Sequence, residues 1–166
     1  MRIQDYLKEH KLLMDGAMGT YYSKSENKRN EISEFANLTA PEKIKQIHLK
    51  YIKAGAKLIR TNSFAASQQV LNISRADQAS IIHASYEIAR QAVEESGKEV
   101  YIACDIGPIP EQGGRSEEEI LEEYRYQCDL FLSHKPEIIL FETFSDMTYI
   151  RELVTYIKAV APQVFI

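Results

Sequence analysis

Short apolar runs, each closed by a glycine or a polar turn and separated by helical stretches, limit the folds open to this chain more than any other feature. They are L-L-M at residues 12–14, A-K-L-I-R-T at 56–61, V-Y-I-A-C-D at 100–105 and E-I-I-L-F-E at 137–142, and V-F-I from Val164 to Ile166 begins a fifth. The runs are nearly continuous instead of alternating, the pattern of strands buried on both faces. Such strands, alternating with helices, make a parallel sheet covered by helices, either doubly wound or closed as a barrel. A newly begun strand with an unpaired neighbour is an odd end for a doubly wound domain, so the fifth run predicts a longer parent chain.

The helices between them carry start and stop signals. Residues 3–10 put Ile3, Tyr6 and Leu7 on one face, suited to plugging the bottom of a sheet or barrel. Thr39, Pro41 and Glu42 open a helix that runs to about Ala54 and stops at Gly55, with Ile44, Ile47, His48, Tyr51 and Ile52 as its apolar stripe. Ser74 caps a helix over 75–96 stopped by Gly97, Ser116 and Glu119 form a capping box for a helix to about Ser133, and a last helix spans roughly 146–160. Residues 21–40 read as a polar surface loop that partly covers a site. The two prolines and three glycines of residues 106–115 bar any helix before Ser116.

At 166 residues with 45% hydrophobic and 27% charged content, the chain suits one domain over residues 1–166, with no second domain. A net charge of -4 argues against a nucleic-acid or membrane-surface partner and for a small molecule or another protein. No run approaches the ~20 apolar residues that cross a bilayer, and the N-terminus lacks the apolar core of a signal peptide. Cys104 and Cys128 have no C-x-x-C or Cys/His spacing, which suits a reduced, cytoplasmic compartment.

Candidate site residues come from the strand ends. In K-L-L-M-D-G-A-M-G-T at 11–20 an apolar run drives into Asp15, Gly16 and Gly19, whose turn leaves backbone N–H groups little covered beside a carboxylate. The glycines there permit left-handed dihedrals, although Asp-Gly is also a common turn pair. The other runs end in Thr61 and Asn62, in Asp105 and Gly107, and in Glu142 and Thr143. In parallel α/β folds these C-terminal ends converge, whichever way the sheet closes. Two carboxylates beside exposed N–H groups suit a zwitterion, the acids taking an ammonium and the turn a carboxylate, so an amino acid is the natural ligand.

Other residues carry less. His48 reads as a packing residue, His83 and His134 show no partner spacing, and Cys104 reads as a small buried hydrophobe. The Gly113-Gly114 pair lacks both a G-x-G-x-x-G pattern and a Walker lysine, so no nucleotide cradle is expected.

Five ordered motifs, D-G-A-M-G-T at 15–20, N-L-T-A-P-E at 37–42, A-G-A-K-L-I-R-T-N-S-F at 54–64, D-I-G-P at 105–108 and L-F-E-T-F at 140–144, together resemble the homocysteine S-methyltransferase family. The resemblance implies a parallel (β/α)8 TIM barrel, of which this chain is roughly the first half, about four βα units and the start of a fifth strand. It implies methyl transfer to the zinc-activated thiolate of homocysteine, giving methionine. Asp15 and Glu142 map onto the residues that hold the substrate amino group, and the backbone of Gly16, Ala17 and Met18 onto the carboxylate cradle, with Asn62 also in the substrate site. The family's zinc cysteines belong to later strands, which the resemblance sets beyond Ile166, and neither Cys104 nor Cys128 matches one. Zinc is thus expected in the full-length protein and none on this piece, which alone carries no catalytic residue. The partners implied are homocysteine and a methyl donor, which is methylfolate, methylcobalamin, betaine or S-methylmethionine. Two readings stand beside this one, another amino-acid-binding β/α-barrel enzyme and a non-catalytic, self-associating half-barrel. An open sheet leaves apolar inner side chains without partners, so the chain is expected to form a homodimer through that sheet or to cover it with its own helices.

Overall fold

The computed structural model describes residues 1–25, 31–111 and 114–166. At its centre lies a parallel sheet in which β1 (Leu58–Arg60) pairs with β2 (Tyr101–Ile106), and β2 with β3 (Ile138–Phe141). Single parallel bridges extend it on both sides, Met14 to Leu58 and Phe165 to Ile138. Each apolar run thus lies beside its predecessor in sequence. A doubly wound sheet would reverse its order at a switch point, and no reversal occurs among the described strands.

Among the described residues there are eight helices: α1 (Ile3–Glu9), α2 (Met18–Ser25), α3 (Ala36–Thr39), α4 (Pro41–Ala54), α5 (Gln68–Leu71), α6 (Arg75–Ser96), α7 (Glu117–Leu132) and α8 (Thr148–Val160), with a 3-10 turn at Ser33–Phe35. The stop signals act as expected, since Gly55 and Gly97 end α4 and α6 at φ 110° and 62°. Ser74 accepts from the Asp77 amide, and Ser116 and Glu119 close a reciprocal capping box. Thr39 does not cap α4: it ends α3, where its hydroxyl donates to the Phe35 carbonyl at 3.0 Å, and Ala40 precedes Pro41 instead.

Alternation along the strands divides the side chains between two faces. Ile59, Cys104, Ile106 and Ile139 point outward, where α6, α7 and α8 add Ile81, Ile82, Ile120, Tyr124, Phe131 and Leu153 to a continuous core. Leu58, Ala103 and Ile138 point the other way and meet Ile3 of α1, which is 1% exposed and donates its backbone N–H to Glu137 at 2.5 Å. The short N-terminal helix therefore seals the lower part of the inner face, through Ile3 more than through Leu7, which stays 40% exposed.

Two expectations need correction. The opening run is not a buried strand: only Met14 makes a bridge, and Leu13 and Met14 are 60% and 40% exposed. It pairs on one side alone, so one edge and much of its side-chain surface have nothing to pack against among the described residues. The fifth run, Val164 to Ile166, does begin a further parallel pairing, through a single bridge from Phe165 to Ile138 of β3. The Phe165 amide donates to the Glu137 carbonyl at 2.8 Å and its carbonyl accepts from the Ile139 amide at 2.9 Å, whereas Ile166 adds no rung to the ladder and packs, partly buried, against the outer core. Residues 21–40, in turn, do not form a surface loop. They contain most of α2, the 3-10 turn and α3, with Ser33, Glu34, Ala36 and Asn37 buried. Long-range hydrogen bonds, which local polarity does not reveal, pull this segment inward. The part of that loop at residues 26–30, and Gly113 of the glycine pair, lie outside the described residues.

Candidate functional site

The C-terminal strand ends open into a cavity of about 430 Å³, within the ~300–1,000 Å³ range of small-molecule sites. Asp15, Gly16, Ala17, Met18, Asn62 and Glu142 all line it, as do Thr61 and Asp105, so residues 127 positions apart in the chain share one space. Gly107 and Thr143 are not on the lining.

At its centre is Arg60, a residue the sequence reading leaves among the apolar inner side chains. Its Nε donates to Asp15 Oδ1 at 2.8 Å, and one terminal nitrogen donates to Glu142 Oε2 at 2.5 Å. The other reaches the carbonyl of Gly16 at 2.9 Å. The Arg60 amide also donates to Asp15 Oδ2 at 3.0 Å, so both oxygens of this 2%-exposed carboxylate accept hydrogen bonds. Burial pushes the Asp15 carboxyl upward, against the pull of those bonds. Bonds to two oxygens from N–H donors are the pattern of an ionised carboxylate. For Arg60, burial opposes the charge, but the two acids outweigh it and raise its pKa. One signal in the sequence pointed to this residue: in L-I-R, Arg60 lies two positions from Leu58 and so shares the inner face.

Gly16 is needed for a reason other than dihedral freedom. Neither Gly16 nor Gly19 has a positive φ; a Cβ on Gly16 would lie 2.8 Å from the Tyr51 hydroxyl, which donates to the Ala17 carbonyl. Met18 then opens α2, whose first amides have no carbonyl within the helix to bond, and residues 16–20 all lie on the cavity lining.

Asn62 lies on the lining, but its amide is fully engaged. It donates to Ser33 O and Asn37 Oδ1 and accepts from the Ser33 hydroxyl, each at 2.8 Å. Asn37 in turn donates to the Asn62 carbonyl. This knot ties residues 33–37 to the end of β1. Glu34, equally buried, accepts from the Ala65 amide at 2.8 Å, and burial raises its pKa.

Asp105, next to last in β2, lines the same cavity and is 4% exposed. Thr61 Oγ1 accepts from its amide and Ser63 donates to its carbonyl, which fixes the backbone, while Oδ1 of its side chain meets no donor. Burial, and then the nearby charge of Glu142, push its pKa up to about 8 against the pull of Arg60. Glu142 is aimed by an unusual backbone: its amide bonds to Ile106 O, and Thr143 directly after it is left-handed at φ 60°.

The remaining candidates lie elsewhere. His48 is fully buried in α4 with neither ring nitrogen hydrogen-bonded, and burial lowers its pKa to about 4. His83 and His134 do find each other, contrary to expectation: Nδ1 and Nε2 are 2.8 Å apart, with Tyr86 stacked on His134 on the outer helices. Their sequence spacing hides a contact made between α6 and the turn after α7. Cys104 and Cys128 sit in the outer core, where burial raises both thiol pKa values, Cys128 to about 12. Among the described residues no three His, Cys, Asp or Glu side chains are grouped to hold a metal ion, so the residues present do not make the zinc site that the family resemblance implies. Ile166, past which that resemblance sets the zinc cysteines, is itself no part of the site: its aliphatic side chain has no donor atom for a metal, and it lies against the outer core, away from the cavity lining. No described helix is long and apolar enough to cross a membrane.

Known proteins share both fold and sequence with this chain. Its backbone matches the metallated form of the homocysteine methyltransferase MmuM from Escherichia coli with a TM-score of 0.81 at 22% identity, covering 98% of this chain and 64% of that one. Betaine–homocysteine S-methyltransferase 1 of Danio rerio is 26% identical over 125 residues, 72% of this chain and 30% of the relative. Methionine synthase of Mycobacterium tuberculosis is 26% identical over 166 residues, 90% of this chain and 14% of the relative. The chain thus spans less than a third of the length of these two relatives. The homocysteine S-methyltransferase family model matches residues 12–166, and the chain belongs to that family.

Proposed function

We propose that the cavity binds L-homocysteine as the substrate-holding part of a homocysteine S-methyltransferase, whose full barrel transfers a methyl group to the substrate sulfur and yields methionine. The observation that carries this reading is the charge pattern around Arg60. Two carboxylates, Asp15 and Glu142, share one guanidinium, which leaves one negative charge uncompensated beside the cavity. An ammonium group neutralises it, and the amides of Gly16, Ala17 and Met18 at the start of α2 lie on the same lining to take the carboxylate. Asn62 contributes by holding the end of β1 and the 33–37 segment in place.

In this reading the described residues bind and orient the amino acid and keep water from its charged end. The sequential parallel strands support a chain that forms roughly half of an eight-stranded barrel; zinc, which the described residues do not hold, would lower the thiol pKa in the whole enzyme. Asp15→Asn and Glu142→Gln are each expected to weaken homocysteine binding by ~1.5–3 kcal/mol, the scale of a lost charge-assisted hydrogen bond. Calorimetric titration with L-homocysteine measures this, and unaltered affinity in both variants removes the two acids from the site.

A further inference from the structure

Asp105 is a buried acid of the cavity whose side chain the binding scheme leaves unused. Its backbone is fixed at both ends by Thr61 and Ser63, yet Oδ1 meets no donor at 4% residue exposure. Such an atom weakens a resting fold, so an unpartnered carboxyl oxygen on a cavity wall calls for a partner that comes and goes.

The groups facing it define that partner. Glu142 at the end of β3 stands close enough to share a hydrogen bond, Arg60 of β1 pulls from one side, and Asp15 adds a more distant negative charge. Glu34 also lines the cavity, and Cys104, on the opposite face of β2, is kept as a neutral thiol by burial. Arg60 already serves Asp15 and Glu142 through its Nε and one terminal nitrogen, while its remaining nitrogen is held by Gly16. Among the described lining residues no other cation is left for Asp105. Two carboxyl groups so placed hydrogen-bond to one another only if one of them carries a proton.

We infer that Asp105 holds a proton in the empty cavity, hydrogen-bonded toward Glu142, and releases it when the ammonium group of an amino-acid ligand docks against the two side chains. The inference rests on the reading of the cavity as an amino-acid site and adds a residue and a proton to it. The exchange is balanced: the Asp105 carboxylic acid loses one proton to solvent, its carboxylate then accepts from the incoming ammonium, and the ligand enters with its own protons unchanged. Burial and the charge of Glu142 hold the acid near a pKa of about 8, so at neutral pH the proton is present to be released. Binding should therefore strengthen about tenfold per pH unit from pH 6 to 7 and level off above pH 8.

Titration calorimetry with L-methionine, whose thioether has no proton to lose, reads this directly in buffers of different ionisation enthalpy. The expected result is release of about one proton per ligand bound at pH 7, falling to about half a proton at pH 8, where the amino group of methionine still keeps its proton. Asp105→Asn should bind methionine with no proton release, and 4-(methylthio)butanoate, which lacks the amino group, should bind the wild-type protein without release. The pH 8 arm needs no variant, so a poorly folded Asp105→Asn leaves the test intact. Methionine binding without proton release at pH 7, or with the same release at pH 8, overturns the inference alone. Failure of both homocysteine and methionine to bind overturns the reading of the cavity and the inference with it.

Discussion

Replacing Arg60 by methionine keeps the aliphatic stem and removes the charge around which the cavity is arranged. The variant strands Asp15, whose side chain is 2% exposed, and Glu142 at 27%, with no other cation paired to either among the described residues. Breaking a buried pair by deleting one partner costs ~3–5 kcal/mol, because the surviving charge keeps its desolvation penalty. Against a domain stability of ~5–15 kcal/mol this is a large fraction. The loss must also depend on pH. Without the Arg60 guanidinium, burial first and then the charge of Glu142 hold the Asp15 carboxyl above its unfolded value, against only the backbone amide of residue 60, so the folded variant binds more protons than the unfolded chain. Its stability deficit is therefore greatest near pH 7.5 and shrinks as pH falls through 6 toward 5. Urea unfolding of both proteins at pH 7.5 and 5 gives the two differences, and Arg60→Lys, which keeps the charge but loses the fork, should fall between them. A deficit below about 1 kcal/mol, or one that does not change with pH, would refute the placement of Arg60 as the cation of this cavity.

Two further outcomes are expected. His48→Leu removes two unpartnered buried nitrogens and should stabilise the protein at pH 7 by ~1–3 kcal/mol. Because the folded pKa of His48, about 4, lies below its ordinary 6.5, its contribution is intact above pH 6.5 and is lost as pH falls toward 4; the advantage of the variant should widen by ~3 kcal/mol over that window in urea unfolding, and parallel pH curves would count against the unpaired ring. Gly107→Ala would place a Cβ 2.4 Å from the Phe64 carbonyl oxygen, a backbone atom that cannot swing away, so a loss of ~1–3 kcal/mol in thermal or urea unfolding is expected, and an unchanged midpoint would show that the two loops separate freely.

What the sequence made legible is what short-range chemistry controls. Ser74, Ser116 with Glu119, Gly55 and Gly97 announce helix ends because caps and left-handed stops act within a few residues. The strand-end residues Asp15, Thr61, Asn62, Asp105 and Glu142 were legible as a group because parallel strands present their C-terminal ends together. Arg60 was not, since an arginine inside an apolar run looks like the edge of a strand until its two acids, 45 and 82 residues away, are seen around it. The burial of Ser33, Glu34 and Asn37 was hidden for the same reason: their partners Asn62 and Ala65 lie across the fold. The exposure of Leu13 and Met14 depends on what does not flank them, which composition cannot report.

Thr143 sets two demands of the fold against each other. A β-branched residue at φ 60° costs of the order of 1–3 kcal/mol, which glycine would avoid, and it stands exposed, where no packing compels the choice. Its stiff backbone follows directly on the carboxylate that meets Arg60. Mutational drift that favoured thermal robustness alone would relax this corner, and the looser chain would leave Glu142 several orientations instead of one. Adaptability and aim are thus traded at a single surface residue, which makes position 143 a place where related sequences can diverge in ligand tightness while the sheet beneath stays the same.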